Sequence, residues 1–472
     1  MGSPEGGMLP RWQGGGLQAV ERILAVSIRM VGACLALLCS ACTTMAPPVE
    51  PLASWNPERN VEVRKRLMGD RSRDIAILLA FSGGGTRAAA FSYGVLKELD
   101  NTPVQTARGK RSMLTEVDMI SSVSGGSFTA AYYGLYGHGI FEDFEQRFLR
   151  ADIQGALLSQ TLSPSNWRRL ASPRFGRADL AAEYYDQILF GGAPLSALER
   201  PGAPWIVINS TDLTTGMRVP FVQEMFDLLC IDVGEYPVSR AVAASSAVPI
   251  VFSPIAAENH AGRCGFRPPE WINSALEEDR LTSQKIVARN LRGYLDRERR
   301  PWLHLVDGGI SDNLGLRSYY RTLTVTAEPV GSSYLLPHLN AQHVLVILVN
   351  ANAHPHHDWA RDQDSPPLLE VASSVSGSQI SRTSDDTILL TRKTFERWVE
   401  ENDSPERPVS FHFVEVSFDR VRNMSEQAFL NNIDTTFRLT DEEVDRLIAA
   451  GQEVLSQSSV YRDFVRLIQG AD

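Results

Sequence analysis

The segment Asp74-Ile75-Ala76-Ile77-Leu78-Leu79-Ala80-Phe81-Ser82-Gly83-Gly84-Gly85-Thr86-Arg87 decides the fold class. A short, nearly continuous apolar run bounded by glycines reads as a strand buried on both faces. Ala88 to Leu99 follows, with Phe91, Val95 and Leu99 on one helical face. The glycine triplet therefore lies in a strand-to-helix turn. The pattern repeats downstream: Val117–Val123 reads as a second strand ending at Ser124, and Phe128–Tyr136 as an apolar helix. Trp205–Asn209, Trp302–Val306 and His343–Val349 read as three more apolar strands, and Ser410–Phe418 alternates like an edge strand. Buried strands separated by helical stretches predict an α/β fold with a mostly parallel sheet covered by helices on both faces. Thr440-Asp441-Glu442-Glu443 is a capping box opening a terminal helix through Leu455.

The chain has 472 residues, 43% of them hydrophobic, enough for a large core. Its net charge of −10 argues against nucleic acid as a partner. At the N-terminus, Arg22 and Arg29 precede an apolar run from Met30 to Cys42, shorter than the roughly 20 residues a membrane span needs. Ser40 and Ala41 stand before Cys42, and a polar, Pro-containing stretch follows. Residues 1–42 thus resemble a bacterial lipoprotein-type signal peptide with Cys42 as the lipidation site, the alternative being an ordinary cleaved signal or an uncleaved anchor. One departure is Cys39 where such signals carry Leu. The resemblance implies a lipid-anchored protein of the cell envelope, facing the periplasm, with the membrane as partner through its anchor.

Once the signal is removed and Cys42 acylated, Cys230 and Cys264 remain, a pair expected to form a disulfide in an oxidising compartment. Residues 43–72 read as a polar tether, 73–350 as the main α/β domain and 351–472 as an α/β extension packed on it. Residues 256–300 break the rhythm: a Gly- and Pro-containing loop, then a charged helical stretch from Leu281 to Arg299. They read as an insertion over the sheet, either a lid or a surface excursion.

Three segments carry chemistry. In Ser122-Val123-Ser124-Gly125-Gly126, Ser124 sits at a strand-to-helix apex, where a tight turn needs small neighbours and presents the hydroxyl. Asp307 follows a strand and precedes Gly308-Gly309, which suits either a base at the carboxyl edge of the sheet or an Asp turn. Gly83, Gly84 and Gly85 let backbone N–H groups converge on an oxyanion, with Arg87 adding positive charge or locking the loop through a carboxylate. The loop lacks the Gly-Lys-Ser/Thr ending of a nucleotide-binding P-loop. His354, His356 and His357 cluster around Pro355 and read as a solvated turn rather than a metal site. His304 is expected to pack within its strand.

These segments, with Ser210–Gly216 and the block Ala243-Ala244-Ser245-Ser246-Ala247-Val248-Pro249-Ile250-Val251-Phe252, resemble the patatin-like phospholipase family in content and order. Ser122 and Ala88 stand where that family usually has Gly. The resemblance implies a three-layer α/β sandwich and a serine acyl hydrolase working on phospholipid or another acyl ester. It implies a Ser-Asp dyad of Ser124 and Asp307, an oxyanion hole lined by Gly83, Gly84 and Gly85 with the N–H of Gly125, and no cofactor. A non-catalytic envelope lipid-binding or scaffold protein of the same fold is the alternative, and intact Ser124 and Asp307 argue against it. A conventional hydrolase triad would need a histidine after Asp307, from His338, His343, His354, His356, His357 or His412.

Overall fold

The computed structural model describes residues 49–106, 109–324, 341–354 and 366–470, together with Gly2 and Gln363. The signal segment, Cys42, His338, His356 and His357 lie outside the described residues.

Among the described residues ten strands are formed: β1 (Ile75–Phe81), β2 (Pro103–Thr106), β3 (Gly109–Ser112), β4 (Val117–Val123), β5 (Trp205–Asp212), β6 (Arg218–Pro220), β7 (Ile255–Glu258), β8 (Trp302–Asp307), β9 (His343–Asn350) and β10 (Ser410–Ser417). The main sheet runs β10-β9-β1-β4-β5-β8-β7, with β6 paired to β5, while β2 and β3 form a separate hairpin. The five strands from β10 to β5 are parallel. Every residue of β1 and β4 is buried, so both faces are covered, which is why β1 reads as a nearly continuous apolar run.

The Trp302–Asp307 strand departs from the parallel expectation: β8 is antiparallel to both β5 and β7. An apolar run carries no information about strand direction, and the reversal proves decisive for the site. The same strand corrects the placement of His304, which is exposed together with Trp302. Near the edge of the sheet the outer half of β8 alternates between core and solvent, and His304 falls on the solvent side.

The predicted tether is, from residue 49 onward, packed structure. Pro51 bridges to Ile231, Arg59–Met68 is a helix, and the buried Arg71 guanidinium donates to Asp118 Oδ1 at 2.9 Å. Asp118 Oδ2 also accepts the Ile77 N–H at 2.9 Å, so this carboxylate is paired as a buried charge must be. Cys230 and Cys264 are joined in a disulfide. Leu52, Trp55 and Phe266 pack around it as a small satellite core. The bond thus staples the insertion loop and the entering chain to one point.

The extension after residue 350 completes the sheet with β10 as an edge strand. Its helix Asp441–Gln457 opens with the expected Thr440–Glu443 box and is followed by one more helix, Ser459–Ile468. Asp441–Gln457 crosses the helix Gly85–Asn101 so closely that a Cβ on Gly94 would lie 2.3 Å from the Ile448 carbonyl oxygen. Among the described residues no helix is long and apolar enough to cross a membrane.

Candidate active site

The two candidate side chains, Ser124 and Asp307, meet because of register. β4 ends with Val123 opposite Asn209 of β5. β5 continues past that edge, and its next residue, Ser210, pairs with Asp307 at the end of the incoming β8. The antiparallel strand therefore runs toward the carboxyl edge from outside and delivers its last residue beside the residue that follows Val123. Ser124 Oγ donates to Asp307 Oδ2 at 2.8 Å across 183 positions of sequence.

Each partner is held from several sides. Ser124 has φ 48°, a left-handed conformation that costs a non-glycine residue about 1–3 kcal/mol and persists only where its surroundings enforce it. Its N–H donates to Ser245 Oγ at 2.9 Å. Ser245 in turn donates its hydroxyl proton to the Asn209 carbonyl at 2.6 Å, which leaves its lone pairs for Ser124 and for the Ser127 hydroxyl at 3.0 Å. Ser245 ends the helix Val238–Ser245, inside the block that resembled the family. Nothing in that block's residue types announced this positioning role.

Asp307 uses both of its oxygens. Oδ1 accepts the Gly309 N–H at 2.7 Å, closing the Asp turn, while Oδ2 faces the serine. The two readings of Asp-Gly-Gly are therefore compatible. Gly308 is needed for close approach, since a Cβ there would lie 2.3 Å from the Asn209 carbonyl oxygen. Burial pushes the Asp307 carboxyl up to about 6, against the opposing pull of the Gly309 and Ser124 hydrogen bonds. A carboxylate is a feeble base in water; desolvation is what brings it toward neutrality.

The glycine loop closes the third side. Gly84 and Gly85 have φ 138° and 61°, which side-chain-bearing residues rarely adopt. A Cβ on Gly83 would stand 3.3 Å from the Ser124 Cβ, so this residue lines the site. Its N–H, however, donates to the Asn313 carbonyl at 2.9 Å, which removes it as an oxyanion donor. Among the described residues, the N–H groups of Gly84, Gly85 and Gly125 have no acceptor. Gly125 packs under the loop, where a Cβ would meet the Gly85 carbonyl oxygen at 2.0 Å.

Arg87 acts from behind. Its buried guanidinium donates to the carbonyls of Ala351 and Ile433, not to a carboxylate, and burial lowers it to about 10. Thr86 N–H donates to the Thr436 carbonyl at 2.9 Å. Segment 433–436 of the extension thus braces the loop. No sequence signal could have shown this, because main-chain carbonyls of any residue type can serve.

The remaining candidates lie elsewhere. His343 and His412 hydrogen-bond to the Ser410 hydroxyl at the amino-terminal edge of the parallel strands, opposite to Ser124. His354 is exposed. Among the described residues no histidine bonds to the Ser–Asp pair, and no group of three or more His, Cys, Asp or Glu is placed to hold a metal ion.

A family model for patatin-like phospholipases matches residues 79–319, just over half of the chain. The chain belongs to the patatin-like phospholipase family. The matched stretch contains the glycine loop, the serine elbow, the Ser245 block and Asp307, and membership supports lipid acyl hydrolase activity. No curated protein sequence matches the chain significantly. Among solved structures, human GIVD cytosolic phospholipase A2 is similar with a TM-score of 0.44 and 13% identity, over 89% of this chain and 68% of that one. VipD from Legionella pneumophila is similar with a TM-score of 0.29 and 12% identity, over 84% and 67%.

Ser245 offers a test of how the elbow is held. Ser245→Ala strips the acceptor from the strained Ser124 N–H, and an unsatisfied buried donor costs about 1–3 kcal/mol. We expect kcat to fall roughly tenfold to a hundredfold with KM nearly unchanged. Ser245→Thr, which keeps the hydroxyl, is expected to retain most of the rate. Steady-state kinetics of the two variants on one ester substrate check this, and a pure KM effect would count against a positioning role.

Proposed function

We propose that this chain is a phospholipase A or lysophospholipase type of serine hydrolase, with Ser124 as nucleophile and Asp307 as base. The observation that carries the reading is the 2.8 Å hydrogen bond between Ser124 Oγ and the buried Asp307 Oδ2. Asp307 takes the hydroxyl proton as Ser124 Oγ attacks the ester carbonyl carbon. The carbonyl oxygen becomes an oxyanion facing the N–H groups of Gly84, Gly85 and Gly125. The C–O bond to the alcohol breaks, and the protonated Asp307 gives its proton to the departing oxygen. Water then attacks the acyl-enzyme, losing its proton to Asp307, and the fatty acid leaves as Ser124 recovers its hydrogen.

The disulfide supports an exported protein, since such bonds persist in oxidising compartments. On this reading Cys42 carries the lipid anchor that keeps the enzyme on the envelope beside its substrate. A fluorophosphonate probe tests the nucleophile: wild type is expected to label at Ser124, and Ser124→Ala not at all. Mass spectrometry of products from a mixed-lipid panel then reads the bond cleaved. A folded wild type that neither labels nor releases fatty acid from any lipid would remove this reading in favour of a non-catalytic lipid-binding protein.

A further inference from the structure

The charged stretch that broke the strand-helix rhythm forms a site of its own. The helices Glu270–Glu277 and Ser283–Tyr294, with the loops on either side, enclose an open cleft of about 1030 Å³. Ile272, Leu276 and Leu295 give it apolar walls. Six arginines line it, Arg263, Arg289, Arg292, Arg297, Arg299 and Arg300, against two acids, Asp296 and Glu298. In a chain of net charge −10 this is a local reversal of sign.

Part of that charge is already used. Arg300 donates to Asp212 Oδ2 at 2.6 Å and stacks on the Tyr294 ring. Arg299 sits 3.5 Å from Asp296, and Arg263 reaches the His260 ring nitrogen at 3.5 Å. Among the described residues, Arg289, Arg292 and Arg297 pair with no carboxylate. Arg289 and Arg292 are three apart on one helix, so they share a face. Three unpaired guanidiniums exceed what one carboxylate can satisfy. They match a phosphate, which carries up to two negative charges and three acceptor oxygens that planar N–H forks bind bidentately.

We propose that this cleft binds a phosphate-bearing ligand, the phosphate held by Arg289, Arg292 and Arg297 and any apolar portion lying against Ile272, Leu276 and Leu295. The site is distinct from the Ser124–Asp307 pair. Neither Ser124 nor Asp307 lines the cleft, and the length of strand β8 lies between Arg300 and Asp307. The cleft is nevertheless joined to that pair through the sheet. Arg300 and Tyr294 both bond Asp212, the last residue of β5, which pairs with Leu305 two residues along from the Ser210–Asp307 pair.

The test uses the full chain and two probes, inorganic pyrophosphate by titration calorimetry and phosphatidylcholine vesicles with or without phosphatidic acid by sedimentation. The cleft variant is Arg289→Glu/Arg292→Glu. A control with the same change of charge is Lys393→Glu/Arg397→Glu, at two exposed positions of the helix Leu368–Asn402. Circular dichroism and the thermal midpoint establish that both variants fold. The expected result is saturable binding that the cleft variant weakens about tenfold or more, since each lost charge-assisted hydrogen bond is worth about that factor, while the control binds like wild type. Cleft-dependent binding of pyrophosphate identifies free phosphate as sufficient. Cleft-dependent binding of the phosphatidic acid vesicles alone identifies a lipid headgroup. Equal weakening in both variants, or saturable binding to neither probe, overturns the proposal.

Discussion

Replacing Ser124 with alanine is expected to lower ester hydrolysis by at least about ten-thousand-fold while leaving the fold intact. In the proposed dyad the nucleophile and the base act as one unit, because among the described residues the acceptor for the Ser124 Oγ proton is Asp307 Oδ2. Asp307→Asn is therefore expected to cost a similar factor, and the double variant to be no worse than either single one. Alanine at position 124 removes one hydroxyl and its hydrogen bond to Asp307 but no apolar group of this nearly buried side chain. Relative rates on a single acyl ester, with circular dichroism as the folding check, measure this. Additive losses in the double variant would show that the two groups work independently, and would end the dyad description.

How much of this was legible beforehand follows from what each interaction is made of. Strand, glycine turn and helix at Ile75–Asn101, and again at Val117–Tyr136, were readable because apolar continuity and glycine are properties of side chains. Ser124 was readable for the same reason. Asp307 could be recognised as a carboxylate after a strand, but not why it reaches Ser124: that depends on β5 overrunning β4 and on β8 running backwards against it. Pairing direction leaves no trace in a hydrophobic pattern. The bracing of the glycine loop was hidden more deeply, since it uses the carbonyls of Ile433 and Thr436. The 35-residue helix Leu368–Asn402 also gave little signal. Ser and Thr recur along it and bond back to carbonyls one turn earlier, as Thr387 and Thr391 do, which blurs its apolar stripe.

As the proposed base, the buried Asp307 also links activity to stability, and the sign is the reverse of that for a salt-bridged carboxylate. Desolvation raises Asp307 to about 6 in the folded protein, whereas an unfolded Asp titrates near 3.9. The folded state thus holds this proton more tightly. The associated stability is fully present below about pH 4 and is lost as pH rises through about 6. Two pKa units correspond to about 3 kcal/mol. The proposed mechanism needs the opposite state, because only the ionised carboxylate accepts the Ser124 proton. We expect kcat/KM to fall about tenfold per pH unit below about 6. Asp307→Asn separates the two effects. Asn can keep a carbonyl oxygen for the Gly309 N–H and donate its amide to Ser124 Oγ, yet it carries no charge to desolvate. The variant is expected to be inactive but more stable than wild type at pH 8, by up to about 3 kcal/mol, with the gap closing by pH 4. Chemical denaturation of both proteins at the two pH values measures it. A gap that does not change with pH would mean that Asp307 is not desolvated in the folded protein, and would remove the physical basis for its proposed role as base.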